Sequence, residues 1–301
     1  MYRLLGKRAA RAGLSARSDA VPCQSPVPFS LGLSMANRSY LYSLSNRPSS
    51  YADRPETISG LSEWPYAVPF MYRLLMSGDP QLCASLVDDG FDSDESDEKP
   101  RLYAISSEFD TGFQRVKRFA EIVRAAARLS AGGPPAATPQ SPSFVSRLKQ
   151  VFAPGRDTSV DAEPAPHPEI DDLLAGLDET ITFLEAHRDA YLLLETFELD
   201  TMSESEEARL KARVEQEIAR CVQAGAAVDA LPADINQAGR QLVLATRQPG
   251  PPPLDAFFGL RLDDEFDSTR TGETEYPLGL QWFDTLCLEL LNRSEFDAQQ
   301  D

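Results

Sequence analysis

Residues 130–168 constrain the fold more than any other stretch, because they divide the chain into halves that each lack enough strands for a sheet. Pro134, Pro135, Pro139, Pro142, Pro154, Pro164, Pro166 and Pro168 punctuate a background of Ala, Gly and Ser. Proline fixes φ and removes a backbone donor, so the run reads as a disordered linker or insertion. Within it, Phe144 to Phe152 has the spacing of a short amphipathic helix. The flanking segments, 35–129 and 169–293, mix helical stripes with a few strand-like runs. That mixture predicts an α+β fold, helix-rich around a small sheet, and favours one interrupted domain over two.

In the first half, Ser39–Leu44 alternates as a strand, and Phe70–Met76 reads as a short apolar helix closed by Gly78. Asp79-Pro80 has the N-cap and N1 chemistry of a new helix carrying Leu82, Leu86 and Val87. Residues 88–98 hold seven acids in eleven positions and read as a solvated loop. A strand over Arg101–Ile105 precedes a helix over 110–129 that is locally basic, with Arg115, Lys117, Arg118, Arg124 and Arg128 against Glu121. Its polar face is expected against acidic segments of the same chain.

In the second half, Ile170, Leu173, Leu174, Leu177, Ile181 and Leu184 form a helical stripe ending near His187. Tyr191–Leu199 is the strongest strand pattern. Ser203 and Glu206 read as a capping box for a helix with Leu210, Val214, Ile218, Cys221 and Val222 inward. A helix over 232–246, a strand over 257–262 and a last helix carrying Trp282, Phe283, Leu286, Cys287, Leu290 and Leu291 complete the chain. Residues 294–301 read as a tail.

Charge divides the chain at residue 35. Residues 1–34 set Arg3, Lys7, Arg8, Arg11 and Arg17 against Asp19 alone, leaving 24 of the 29 basic and 46 of the 47 acidic side chains to residues 35–301. Folding patterns start at Met35, so residues 1–34 are read as a non-native or disordered extension. The run Met35-Ala36-Asn37-Arg38-Ser39-Tyr40-Leu41-Tyr42-Ser43 resembles the opening of a family of uncharacterised bacterial proteins. That resemblance covers mainly 35–129 and, more loosely, 180–292. It implies boundaries and no activity.

A net charge of −18 opposes nucleic-acid and anionic-lipid binding, which need a basic footprint, and suits attraction to a basic protein partner. No run of about 18 apolar residues is present, so no membrane span is expected. Scattered cysteines at 23, 83, 221 and 287 point to a reducing, cytoplasmic setting, with neither disulfide framework nor zinc.

The sharpest catalytic candidate is Glu195. Alternation along 191–199 places it on one face with Leu193 and Phe197, where desolvation would raise its pKa toward acid–base use. An edge-strand or hydrogen-bonded structural glutamate is the competing reading. Asp263, Asp264 and Asp267 invite a calcium loop, but counting from Asp267 puts Gly272 at six and Leu278 where the bidentate Glu belongs. They therefore read as an acidic binding loop, with no metal. Trp64 and Tyr66, on a Pro-bounded turn, are candidates for an exposed partner anchor as well as for core packing. His167 and His187 have no metal-type companion, and no Gly-rich phosphate loop is present, so no cofactor is expected.

These readings weigh against an enzyme. The chain is expected to be a non-catalytic cytoplasmic protein-binding module whose acidic surface engages a basic partner, in the manner of an inhibitor or immunity protein. The alternative is a carboxylate-based hydrolase centred on Glu195, with or without a divalent metal.

Overall fold

Tyr191-Leu192-Leu193-Leu194-Glu195 is apolar at nearly every position because both of its faces are covered. In the computed structural model, which describes residues 37–87, 101–132, 168–262 and 275–300, this strand is the centre of the sheet. The sheet is antiparallel, with β1 (Arg38–Leu44), β2 (Ile58–Pro65), β3 (Gln81–Ala84), β4 (Tyr103–Glu108) and β5 (Tyr191–Glu195) in the order β2-β1-β5-β4-β3. A strand that comes after residue 168 thus sits between two that precede residue 132, with Tyr40 opposite Glu195 and Ile105 opposite Leu194. The expected α+β class, helix-rich around a small sheet, is what the chain forms.

One face carries Leu41, Leu61, Ile105, Leu192 and Leu194 into the main core, which helices cover. These are α1 (Phe70–Leu75), α2 (Phe109–Gly132), α3 (Pro168–Ala186), α5 (Glu207–Ala230) and α6 (Ile235–Arg247). The short α4 (Phe197–Thr201) joins β5 to α5, and α7 (Arg293–Gln300) closes the chain. Phe70, Phe119 and Phe257 meet at the core's centre with ring separations of 5.0–6.1 Å. The basic face of α2 finds acidic partners as its sequence predicts: Arg115 pairs with Asp229, Lys117 with Glu185 and Arg124 with Asp178. Exposed pairs of this kind contribute under about 1 kcal/mol each, so they orient neighbours more than they hold them.

The opposite face carries Tyr40, Tyr42, Leu44, Cys83, Ala104 and Leu193, and an extended strap covers it where the sequence predicts a helix. Trp282, Phe283, Leu286 and Leu290 have helical spacing, yet residues 277–292 run without helix. Phe283 N donates to Leu61 O at 3.0 Å, Cys287 N to the Glu63 carboxylate at 2.7 Å, and Tyr42 Oη to Leu288 O at 2.7 Å. Bonds to the sheet and its side chains replace intrahelical ones, and Trp282 turns to the main core beside Tyr72 and Phe183. Residues 294–300, expected as a tail, continue α7, whose Arg293 N donates to Pro55 O.

Three further expectations are overturned. Asp79-Pro80 starts no helix, because Gln81–Ala84 pairs with β4 instead. Residues 257–262 form no strand; a 3-10 turn (Leu254–Phe257) is succeeded by a single bridge between Leu260 and Tyr276. Ser203 and Glu206 make no capping box: Glu206 is the N-cap of α5, without a side-chain capping bond, and Val222 faces solvent. The expectations for residues 1–34, for 88–98 and for most of 130–168 lie outside the described residues, although α2 reaches Gly132 and α3 starts at Pro168.

Candidate functional site

Glu195 lies, as the alternation predicts, on the strap side of β5 with Leu193. Its strand ends there, however: Thr196 O accepts from Leu199 N and Asp200 N, and the chain turns into α4, so Leu199 leaves the strand face. The Glu195 side chain is 0% exposed. Its Oε1 accepts from Leu86 N at 2.8 Å and its Oε2 from Ser85 Oγ at 2.9 Å. Burial pushes its pKa up to about 7, against the pull of those two bonds and of nearby Arg54. Burial and the Glu195 charge together hold the Tyr42 phenol and Cys83 thiol well above their usual ranges. The carboxylate ties residues 85–86 to the central strand, and with no accessible surface it meets no substrate in this conformation.

The other sequence candidates separate. Trp64 is only 3% exposed and packs in the main core, so it is no surface anchor. Tyr66, two residues on, is 58% exposed. Asp263, Asp264 and Asp267 lie outside the described residues. His187 Nδ1 lies 2.9 Å from Phe183 O and its ring stacks on Phe183, a helix-end role. Among the described residues no cluster of three His, Cys, Asp or Glu could hold a metal, and no helix is long and apolar enough to cross a membrane.

Tyr66 stands at the mouth of a cleft of about 530 Å³. The β2–α1 turn supplies Tyr66, Ala67 and Val68, α1 supplies Arg73, and α5 supplies Arg213, Gln216, Glu217 and Arg220. Thr196, Leu199, Asp200 and Met202, the last 59% exposed, complete the lining. On the floor, buried Glu217 accepts from Arg73 Nε at 2.5 Å and Nη2 at 3.3 Å, and from Arg220 Nη1 at 2.8 Å. Asp200 accepts from Thr196 Oγ1 at 2.7 Å and from Arg213 Nε at 3.4 Å. Burial raises the Asp200 pKa despite these partners.

The backbone at Tyr66 has φ 61°, the one non-glycine positive φ among the described residues. Left-handed backbone costs an L-residue about 1–2 kcal/mol and persists only where its surroundings impose it. Here Tyr66 N donates to Asn37 O at 2.7 Å, and Ser39 Oγ binds Ala67 O at 2.8 Å. Tyr66→Gly is therefore expected to stabilise the protein by roughly 0.5–1 kcal/mol, the released strain exceeding the extra unfolded-state freedom of glycine. Denaturant titration of the two proteins checks this; equal or lower stability of the glycine variant would show that the turn carries no strain.

Sequence reasoning missed the charged floor. The signal was present in α5, where Arg213, Glu217 and Arg220 recur at helical spacing beside the apolar stripe, but Arg73 and Asp200 come from distant segments. No curated protein and no solved structure matches the chain. Residues 45–151, which include Tyr66 and Arg73 but not α5, match the family model described as Domain of unknown function (DUF7822).

Proposed function

We propose that this chain is a non-catalytic, cytoplasmic protein-binding module that engages a basic partner at the mouth of the Tyr66 cleft, in the manner of an inhibitor or immunity protein. The observation that carries this reading is the pair of large exposed side chains, Tyr66 and Met202, with Tyr66 held at a backbone angle its type avoids. Aromatic and Met side chains dominate the anchors of protein interfaces. From Met202 the chain passes directly into Ser203-Glu204-Ser205-Glu206-Glu207, so acidic groups adjoin the anchors. With a net charge of −18, such a surface speeds encounter with a basic protein. The hydrolase alternative rests on the raised pKa of Glu195; the burial that raises it also closes that carboxylate to substrate.

The test is capture from source-cell lysate on the immobilised full chain and on its Tyr66→Ala variant, washed at low and high salt and read by mass spectrometry. A stoichiometric basic protein, retained at low salt, weakened by high salt and lost from Tyr66→Ala, is the expected result. Equal recovery on both chains, or no specific partner at either salt, defeats the proposal.

A further inference from the structure

We infer that this cleft is a binding site for a carboxylate carried beside a short apolar group. Arg73, Arg213 and Arg220 line it against Asp200 and Glu217, a local excess of one positive charge in a chain whose net charge is −18. Both carboxylates are already engaged, Glu217 by two guanidinium groups and Asp200 by Thr196 and Arg213. The guanidinium groups are not used up. Among the described residues, Arg213 bonds through Nε alone and Arg220 through Nη1 alone. Each guanidinium presents five donors in a planar fork that matches a carboxylate.

Charge and shape narrow the ligand. A monocarboxylate balances the single excess positive charge, whereas a phosphate dianion leaves one negative charge over in a partly buried setting. Val68, Leu199 and Met202 add apolar wall beside the guanidinium groups, which suits an alkyl group attached to the acid and disfavours a bare inorganic anion. A volume of about 530 Å³ accommodates an acylated amino acid or the last residues of a peptide. This site shares the cleft and Met202 with the proposed protein interface, but it is built on Arg213 and Arg220 and needs no partner protein.

The experiment is calorimetric titration of the full chain at low ionic strength with N-acetyl-L-leucine, its neutral amide, inorganic phosphate, and a short peptide ending in leucine with a free carboxylate. The acid is expected to bind saturably, with the amide about tenfold weaker, as loss of a charged hydrogen bond requires. Arg213→Gln and Arg220→Gln, both at half-exposed positions, are each expected to weaken the acid by a similar factor while retaining the wild-type circular dichroism, with a melting temperature lowered by the loss of one partner of Asp200 or Glu217. A free-carboxylate peptide binding more tightly than N-acetylleucine assigns the site to a peptide terminus; equal affinities assign it to a free acid. Absence of binding by both, equal binding of acid and amide, tighter binding of phosphate, or affinity unchanged in both Arg variants overturns the inference. Failure of Tyr66→Ala to release a captured protein leaves it standing.

Discussion

Glu195→Gln folds and loses a pH dependence that the wild-type chain shows between about pH 4.5 and 7. The folded carboxyl has its pKa raised from 4.5 to about 7, so the native state keeps its proton over a range in which the unfolded chain releases it. Native stability therefore falls as pH rises through that window, and levels off above about pH 7. Each pKa unit is worth about 1.4 kcal/mol, so the whole fall attributable to this group is about 3 kcal/mol. Glutamine cannot ionise, but its amide oxygen can still accept from Leu86 N and its amide nitrogen can donate to Ser85 Oγ. Asp200, also raised by burial, contributes a slope of the same sign in both proteins, so the difference between them isolates Glu195. Urea titrations at half-unit pH intervals measure it. Parallel stability curves for the two proteins would mean that the carboxyl is not desolvated in solution. The same variant separates a structural from a catalytic glutamate, since a purely structural role alters stability alone.

How far the fold could be read from the sequence depends on whether one pattern had one cause. The stripe of α3 and the apolar run of β5 were legible because a single buried surface, or two, dictated every position. The strap was not. Trp282 faces the main core and Leu286 the other face, so one extended segment serving two surfaces reproduced the spacing of an amphipathic helix. β2 was also hidden, since its Ser59, Gly60, Ser62 and Glu63 are weak strand formers held by pairing with β1. The orientation of Glu195 agreed with alternation, but its saturation by Ser85 and Leu86 depended on a segment more than a hundred residues away. The cleft was least visible. Local patterns report which side chains are buried; they do not report that Arg73 of α1 meets Glu217 of α5.

The second large effect is expected at Gly112, in the first turn of α2. A Cβ there would lie 1.7 Å from Leu75 O and 2.7 Å from Leu75 C, and both atoms are backbone. No rotamer change relieves such an overlap; α1 or α2 must move. Gly78, at the end of the 3-10 turn just after α1, meets the same junction from the other side, where a Cβ would lie 2.3 Å from Glu108 O and 3.1 Å from Gly112 N. The two glycines let the end of α1 lie directly on the β4–α2 corner, and Arg115 Nη1 fastens the contact by donating to Ser77 O at 2.6 Å. Overpacking of this kind costs about 3 kcal/mol, so Gly112→Ala is expected to melt roughly 6–12 °C lower than the wild type. Gly176→Ala in α3 is the control. Its Cβ would meet only Leu280 side-chain atoms, the nearest at 3.3 Å, and the better helix propensity of alanine offsets a small adjustment, leaving stability within about 1 kcal/mol of wild type. Equal melting temperatures for the two variants would show that the junction is loosely packed. Because Arg73 rides on α1, displacement of that helix also disturbs its bonds to Glu217, and Gly112→Ala should bind N-acetylleucine more weakly than Gly176→Ala at temperatures where both remain folded.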